Sequence, residues 1–385
     1  MTDTNRILPV ITAMSDASDP YVAASELAQA LCHPELEGVI FFCSAEYDLE
    51  HLAAALNQSF ANTCLVGCTT AGEITPRGYD RGTIVGLGFH RDSFTMEASL
   101  IADLDQFSLP EAQAQLDQLI RALRQRTTDS LAGRCFAMTL LDGLSSQEEL
   151  VLVALDSALG SIPHFGGSAG DDIQLAGTHV FYQGAFHNEA AVLTLMHTVL
   201  DFEVFSTHHM QSLATKLVVT QADSDKRQVI ELNAEPAAQV YARMLGIEPE
   251  ELNPKVFALH PLAVKLGQEY YVRSIQKVNE DMSLTFYCAV GNGMVLTAMQ
   301  PQPILPDLER RFAHIEARIG EPMITLGCDC FLRRLETEHL GSLDEASAFF
   351  REHRVIGFNT YGEHFDGVHI NQTFTGVVIG KETVR

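Results

Sequence analysis

Basic side chains are scarce in this chain. Its 385 residues include 25 Lys and Arg against 50 Asp and Glu, so the formal net charge is −25 at pH 7. No Lys precedes Lys216, and the chain contains no Trp. Proteins that bind nucleic acid or anionic membranes need clustered Lys and Arg to contact phosphates. We therefore expect neither kind of partner.

Long apolar runs and a leader pattern are also lacking. The longest nearly apolar stretch, residues 190–199, contains His197 and is shorter than the roughly 20 residues that span a bilayer. Residues 1–15 have neither the basic start nor the apolar stretch of a signal peptide. We expect a soluble, cytoplasmic protein whose eight cysteines are mostly free thiols.

Apolar segments alternate with helical ones in the first half of the chain. Residues 38–44 and 63–68 are continuous apolar runs typical of strands covered on both faces, and residues 48–59 have the period of an amphipathic helix. This rhythm predicts a mixed α/β fold, a two-part protein in which β-sheets are flanked by helices. Residues 83–89 and 94–102 are predicted to pair as antiparallel strands.

The pattern changes near the middle of the chain. From Gly177 onward, four strand-like runs follow one another with little helix between them. We place a domain boundary within residues 220–233, which divides the chain into residues 1–225 and residues 226–385. No internal repeat, coiled coil or low-complexity segment is evident in either part.

Two glycine-rich turns follow predicted strands, at residues 67–73 and 165–172. Backbone N–H groups in such turns, together with the hydroxyls of Thr69 and Thr70, can cradle an anion, whereas an ordinary tight turn is the alternative. Two such turns that meet around one cavity would suit a small-molecule ligand. The predicted binding residues are Gly67, Thr69, Thr70, Gly166, Gly167 and Ser168.

A histidine doublet, His208 and His209, follows a strand-like run at residues 201–207. Neighbouring side chains on a strand point to opposite faces, so one imidazole would face an apolar pocket and the other would face solvent. A neutral imidazole in an apolar cavity is the usual protein ligand of heme iron. A hydrogen-bonded core histidine is the alternative interpretation of the same pattern.

The doublet is the predicted metal site, with His209 and His208 as the candidate ligands. His260, within the apolar segment 257–263, is a second candidate for cofactor binding. Because the chain lacks the Cys-x-x-Cys-His motif, any heme would be non-covalently bound heme b. Further candidates are His164, His179 and His369.

Other reactive side chains give weaker patterns. Cys328 and Cys330 precede two arginines that would lower the thiol pKa and allow redox sensing, and a zinc site would need two more ligands. Two ordinary thiols at the end of a strand are the preferred interpretation. Residues 142–146 depart from the nucleophile elbow because Gln147 stands where the last glycine belongs. They are better explained as a helix start, so we predict no catalytic residues and no enzyme activity.

Segments spread along the chain resemble the FIST proteins, which are bacterial sensory modules with a FIST N and a FIST C domain. The resemblance rests on residues 65–74 and 165–171 in the first part and on residues 231–238 and 357–363 in the second. It implies that the first part is a FIST N-type sensory domain and the second a FIST C-type domain.

Residues 41–48 and 328–334, together with the histidine doublet, resemble the NosP subgroup of nitric-oxide-sensing hemoproteins. This resemblance implies a signal-transduction sensor that binds heme and nitric oxide and regulates a separate sensor histidine kinase in trans. The alternative is a heme-free FIST module that senses a small metabolite such as an amino acid. The oligomeric state stays open.

Overall fold

The computed structural model describes residues 8–61 and 63–381. These residues fold into four β-sheets, and helices pack on the outer faces of three of them. The predicted mixed α/β class, with sheets flanked by helices, is therefore confirmed. Within the described ranges, no helix is both long enough and apolar enough to cross a membrane.

The first half of the chain contains two units with the same order of elements. Unit one spans residues 10–90 and unit two spans residues 94–198. The elements of unit one are β1 Val10–Ser15, α1 Pro20–Leu31, β2 Leu36–Ser44, α2 Leu49–Ser59, β3 Cys64–Thr70, β4 Glu73–Thr75, β5 Gly78–Asp80 and β6 Ile84–His90. Those of unit two are β7 Phe94–Ile101, α3 Leu109–Arg126, β8 Cys135–Leu141, α4 Glu148–Leu159, β9 His164–Ser168, β10 Val180–Tyr182, β11 Ala185–His187 and β12 Ala191–Thr198.

Unit three, residues 202–380, repeats this order around an additional segment that we call the insert, residues 210–301. Unit three begins with β13 Phe202–Thr207. The insert comprises β14 Met210–Asp223, β15 Gln228–Leu232, β16 Glu235–Pro236, α5 Ala237–Leu245, α6 Pro254–Leu259, β17 Leu262–Leu266, β18 Glu269–Arg273, β19 Ile275–Val278, β20 Leu284–Phe286 and β21 Val295–Pro301. Unit three then continues with α7 Ile304–Ile319, β22 Pro322–Cys330, α8 Phe331–Leu340, α9 Leu343–Glu352, β23 Val355–Thr360, β24 Glu363–Phe365, β25 Val368–Ile370 and β26 Phe374–Gly380.

The sheets of the three units share one strand order. The orders are β1-β6-β2-β3, β7-β12-β8-β9 and β13-β26-β22-β23, and in each sheet the last two strands are parallel while the other pairs are antiparallel. The expectation that the chain has no internal repeat is therefore wrong. The repeat lies in the topology, and little of it survives as residue identity outside the turns that follow the third strands.

The units exchange their hairpins in a cycle. The hairpin β4–β5 of unit one pairs with β23 of unit three, β10–β11 of unit two pairs with β3, and β24–β25 of unit three pairs with β9. Each unit therefore completes the sheet of another unit. Because every third strand takes its edge partner from elsewhere in the chain, the three units close into one ring.

Main-chain hydrogen bonds join the ends of the three third strands inside this ring. Just beyond each strand end, an N–H group donates to a carbonyl oxygen at the strand end of another unit. These bonds are 2.9 to 3.1 Å long and run from Ala71 to Asn359, from Gly170 to Thr69, and from Tyr361 to Ser168. The glycine-rich turns therefore form the inner seam of the ring.

The inner faces of the three ring sheets pack into one apolar core. Strands from all three units contribute to it, and the rings of Phe42 and Phe358 stack there at 4.4 Å. Burying a phenylalanine of this kind stabilises a fold by about 1.5–3 kcal/mol. The outer faces are covered by α1 and α2, by α3 and α4, and by α7 and α9, respectively.

The predicted pairing of residues 83–89 with residues 94–102 is wrong. Strand β6 pairs with β1 and β2, whereas β7 pairs with β12 in a different sheet. The turn between them is the junction of units one and two. Continuous apolar patterns identify these strands but do not specify a pairing partner.

The insert forms an eight-stranded antiparallel sheet with its own apolar core. It enters between β13 and α7, at the position where units one and two run from their first strand into their first helix. The insert therefore lies at the carboxyl end of β13. The predicted domain boundary, between residues 225 and 226, falls in the turn between β14 and β15 inside this insert.

Units one and three share a buried glutamate at the start of their hairpins. Glu73 accepts hydrogen bonds from the hydroxyl three residues before it and from the hydroxyl and N–H ten residues after it. Glu363 is held by Thr360 and Thr373 in the same way. Burial raises the pKa of both carboxyls to about 7, against the opposing effect of these hydrogen bonds.

Replacing both Glu73 and Glu363 by Gln is expected to flatten the pH dependence of stability. Because folding raises the pKa of both carboxyls, the unfolded chain loses these protons at lower pH than the folded chain does. The free energy of unfolding therefore falls as the pH rises from about 4.5 to about 7. Each carboxyl contributes about 3 kcal/mol to this fall. Urea unfolding near pH 5 and near pH 8 measures the difference.

The exposed Glu316 provides the matched control, because its replacement by Gln changes no buried carboxyl. The double variant should gain stability relative to the parent at the higher pH. An unchanged difference between the two pH values would contradict the account.

Candidate ligand site

A cavity of about 300 Å³ lies between the insert and the hairpin of unit three. Strand β18 of the insert lines one side, and β24, β25 and the loop between them line the other. His208 borders this cavity, directly after β13. In α/β proteins, ligands bind beyond the carboxyl ends of sheet strands, which is the position of this cavity. Its apolar lining includes Tyr270, Tyr271, Val272, Phe365, Val368 and Ile370.

His208 is half-buried at the edge of this cavity. Burial lowers the pKa of its imidazole, and nearby Asp307 only partly offsets that effect, so the ring is neutral at pH 7. Its Nδ1 accepts the N–H of Met210 at 3.3 Å, which leaves the proton on Nε2. Among the described residues, no side chain forms a hydrogen bond with that Nε2.

His209 points the other way and is 4% exposed. Its Nε2 lies 2.8 Å from the carboxylate of Glu336, and its Nδ1 accepts from Nη1 of Arg333 at 2.8 Å. Both ring nitrogens therefore have partners inside the protein. The predicted alternation of the doublet is confirmed, but the expectation that one ring would face solvent is wrong, because α8 supplies buried partners on that side.

The contacts of His209 continue into unit one. Arg333, which is fully buried, donates from Nε to Oδ1 of Asp329 at 2.7 Å. The other oxygen of Asp329 accepts from the hydroxyl of Tyr79 at 2.6 Å, and Tyr79 lies on β5. A chain of buried polar contacts therefore joins the residue beside the cavity to the exchanged hairpin of unit one. Sequence reasoning missed these partners.

The six predicted residues in the glycine-rich turns lie at the seam of the ring. Thr69 Oγ1 accepts the N–H of His179 at 3.0 Å, Thr70 donates to Glu73, and Ser168 contacts Glu148 and His364. The turns do meet, and the hydroxyls of Thr69, Thr70 and Ser168 form hydrogen bonds with other groups of the protein. The lining of the cavity beside His208 contains none of the six residues. Their role in ligand binding stays a prediction.

The glycines in these turns serve close packing. A Cβ atom on Gly67 would lie 2.5 Å from the carbonyl oxygen of Phe41, and one on Gly166 would overlap the carbonyl oxygen of Thr139. Only glycine allows neighbouring strands to approach this closely. The glycines that predicted turns in the sequence therefore also indicate close contact between neighbouring strands.

His260 lies outside the cavity lining. His260 is the residue that caps the carboxyl end of α6, and it is exposed. Its carbonyl oxygen accepts a hydrogen bond from the hydroxyl of Tyr241 at 2.7 Å. Burial of part of its ring lowers the pKa of the imidazole. In this structure no contact joins His260 to His208, so its predicted role in cofactor binding stays a prediction.

Cys328 and Cys330 lie at the end of β22, as the preferred interpretation of ordinary thiols predicts, and the alternative of thiols with a lowered pKa is wrong. Both side chains are fully buried, and burial raises the pKa of each thiol well above its ordinary value. The buried carboxyl of Glu363 adds to the effect. The arginines that follow are turned to other partners, with Arg333 held by Asp329 and His209.

A FIST N domain matches residues 38–235, and a FIST C domain matches residues 237–366. The chain therefore belongs to the FIST family, and its role is sensory signal transduction. No curated protein matches the chain.

Replacing His209 by Ala is expected to lower the free energy of unfolding by about 3 kcal/mol, because it leaves Glu336 buried without its partner. Replacing His208 by Ala removes one weak hydrogen bond and should cost less than about 1 kcal/mol. Urea unfolding of the two variants measures both costs. Equal losses for the two variants would contradict the different environments described for the doublet.

Proposed function

We propose that this FIST protein is a sensor that binds heme b in the cavity beside His208 and responds to nitric oxide. The observation that supports the proposal most directly is a neutral imidazole at an apolar cavity between two parts of the fold. The resemblance of the histidine doublet and of residues 328–334 to nitric-oxide-sensing hemoproteins points to the same ligand.

His208 and the apolar walls fit the ligand and the surroundings of a heme iron. A whole heme needs more room than the cavity of about 300 Å³ provides, so its binding would require the insert and the hairpin of unit three to separate. Among the described residues Nε2 of His208 has no hydrogen-bond partner, and the aromatic and aliphatic walls suit a macrocycle. His209 does not fit this role, because ligation would break its contact with Glu336 or with Arg333. We therefore assign the ligand to His208 alone and His209 to positioning.

Bound heme supplies an iron atom that takes nitric oxide as a ligand. The protein contributes the imidazole of His208 and an apolar wall that excludes water. Tyr270, Val272 and Phe365 are part of that wall, on opposite sides of the cavity.

A tautomer change at His208 can carry the signal into the insert. An imidazole that binds a metal through Nε2 keeps its remaining proton on Nδ1. In that tautomer Nδ1 no longer accepts the N–H of Met210, the first residue of β14. Ligation of His208 would therefore favour a different arrangement of the peptide that begins the insert.

The proposed readout is a changed affinity for a separate sensor histidine kinase. A chain with a net charge of −25 suits a protein partner with a basic face better than nucleic acid or an anionic membrane. The protein would act without catalysis, by presenting one of two surfaces to the kinase.

A heme-free sensor of a small metabolite is the second candidate. The cavity volume of about 300 Å³ is at the lower end of small-molecule sites, which favours a compact ligand such as an amino acid. Glu269 and Asp366 also border the cavity and would contact an ammonium group.

Full-length protein produced with ample heme is expected to show a Soret band that shifts when nitric oxide is added to the ferrous form. Replacing His208 by Ala should reduce heme retention at least 10-fold or change the ferrous spectrum, because it removes the iron ligand. Replacing the exposed His314 by Ala should change neither. Absorption spectra of the three proteins at equal concentration make the test.

Two results would contradict the heme proposal. One is colourless protein that takes up no hemin, and the metabolite sensor would then become the better account. The other is a His208→Ala variant with full heme and an unchanged ferrous spectrum.

A further inference from the structure

A second cluster of metal-ligating side chains lies where unit two, unit three and the insert meet. Glu149 belongs to the first turn of α4, Cys288 follows β20 of the insert, and His369 lies on β25. One ligand atom of each lies within 4.8 Å of one atom of both others. Nδ1 of His369 and Oε1 of Glu149 lie 3.1 Å apart.

Glu148 extends this cluster. Its Oε2 lies 3.5 Å from Nδ1 of His369, and Glu148 forms a second close set with His364 and His369. The two sets share His369, so the cluster offers one sulfur, two carboxylates and the imidazole of His369 as potential ligands. They come from three separate parts of the fold, so the ring and the insert must both be in place to form the cluster.

Arg227 of the insert orients the two carboxylates. Its Nη1 donates to Oε2 of Glu148 at 2.6 Å, and its Nη2 donates to Oε2 of Glu149 at 2.5 Å. The remaining oxygen of Glu149 is thereby held towards His369, and it also accepts the N–H of Ala289 at 2.6 Å. Hydrogen bonds of this kind fix carboxylates that ligate metals.

The cluster is not a complete hydrogen-bond network. Arg227 and His369 each lie within ion-pair distance of both carboxylates, and the thiol of Cys288 donates to Oδ1 of Asn371 at 3.0 Å. The buried Nδ1 of His364, Nε2 of His369 and Nε of Arg227 have no partner among the described residues. Buried polar atoms are normally satisfied, and those that are not call for a further ligand or a conformational adjustment.

We propose that this cluster binds a zinc ion through Glu149, Cys288 and His369, with Glu148 in the fourth position. Mixed sulfur, nitrogen and oxygen ligands suit Zn²⁺, whereas Ca²⁺ and Mg²⁺ prefer oxygen ligands alone. Tetrahedral zinc at about 2.0–2.3 Å from its ligands holds them about 3.3–3.8 Å apart, so the side chains must close by about 1 Å.

Zinc binding would convert Cys288 to a thiolate and leave His369 neutral, and the displaced protons would pass to solvent. Glu149, whose side chain is 24% exposed, provides the path by which the ion enters. The bound ion would tie the insert to units two and three. None of its ligands borders the cavity beside His208, so the zinc site and the proposed heme site can be tested separately.

Full-length protein treated with a chelator and then titrated with Zn²⁺ should bind one ion per chain. Replacing Cys288 by Ser or His369 by Gln should weaken that binding at least 10-fold, because each removes a ligand. Replacing the exposed residues Cys32 by Ser and His314 by Gln should leave the affinity unchanged. Competition with a chromophoric chelator measures all five proteins on one scale.

Co²⁺ reports whether the thiol takes part. The parent protein loaded with Co²⁺ should show the near-ultraviolet charge-transfer band of a cobalt thiolate, and the Cys288→Ser variant should lack it. Glu149→Gln, at a partly exposed position, provides a second ligand variant should Cys288→Ser fail to fold, and it should also bind zinc at least 10-fold more weakly.

Three results would overturn the zinc proposal. They are a parent protein that binds no Zn²⁺ at micromolar concentration, a cobalt form without a thiolate band, and equal zinc affinity in the ligand variants and the controls. In any of these cases, hydrogen bonds among His369, the two glutamates and Arg227 complete the cluster without a metal.

Discussion

The cycle of main-chain hydrogen bonds at the ends of β3, β9 and β23 is the constraint on which the rest of the structure depends. Each third strand lacks an edge partner within its own unit and takes one from a neighbouring unit. Gly67 and Gly166 allow β3 and β9 to pack closely against β2 and β8 of their own units. Because of the hairpin exchange, no unit can complete its sheet alone, so the ring folds as one cooperative body.

The insert breaks the threefold pattern, and the candidate binding sites lie where the insert joins the ring. Only unit three has a sheet in place of the direct connection between its first strand and first helix. The cavity beside His208, the contacts of His209 and the cluster around His369 all lie against this sheet or at its border.

Local patterns in the sequence predicted local structure well. The apolar runs became β2 and β3, Asp48 caps α2, and the doublet at His208 divides between a cavity and a buried network as strand alternation requires. Long-range features had no local signal. A strand's apolar pattern does not specify its partner, so the hairpin exchange and the repeat could not be predicted. The raised pKa of Cys328 follows from its burial and from the nearby carboxyl of Glu363, a contact between distant parts of the sequence.

His208, at the junction between the ring and the insert, is the proposed ligand of a heme iron. Resonance Raman spectra of the ferrous, nitric-oxide-free protein test this proposal most directly, because the iron–histidine stretching mode reports the ligand itself. The account predicts that the mode is present in the parent protein, absent in His208→Ala, and restored when imidazole is added to that variant. An iron–histidine mode that persists unchanged in His208→Ala would contradict it.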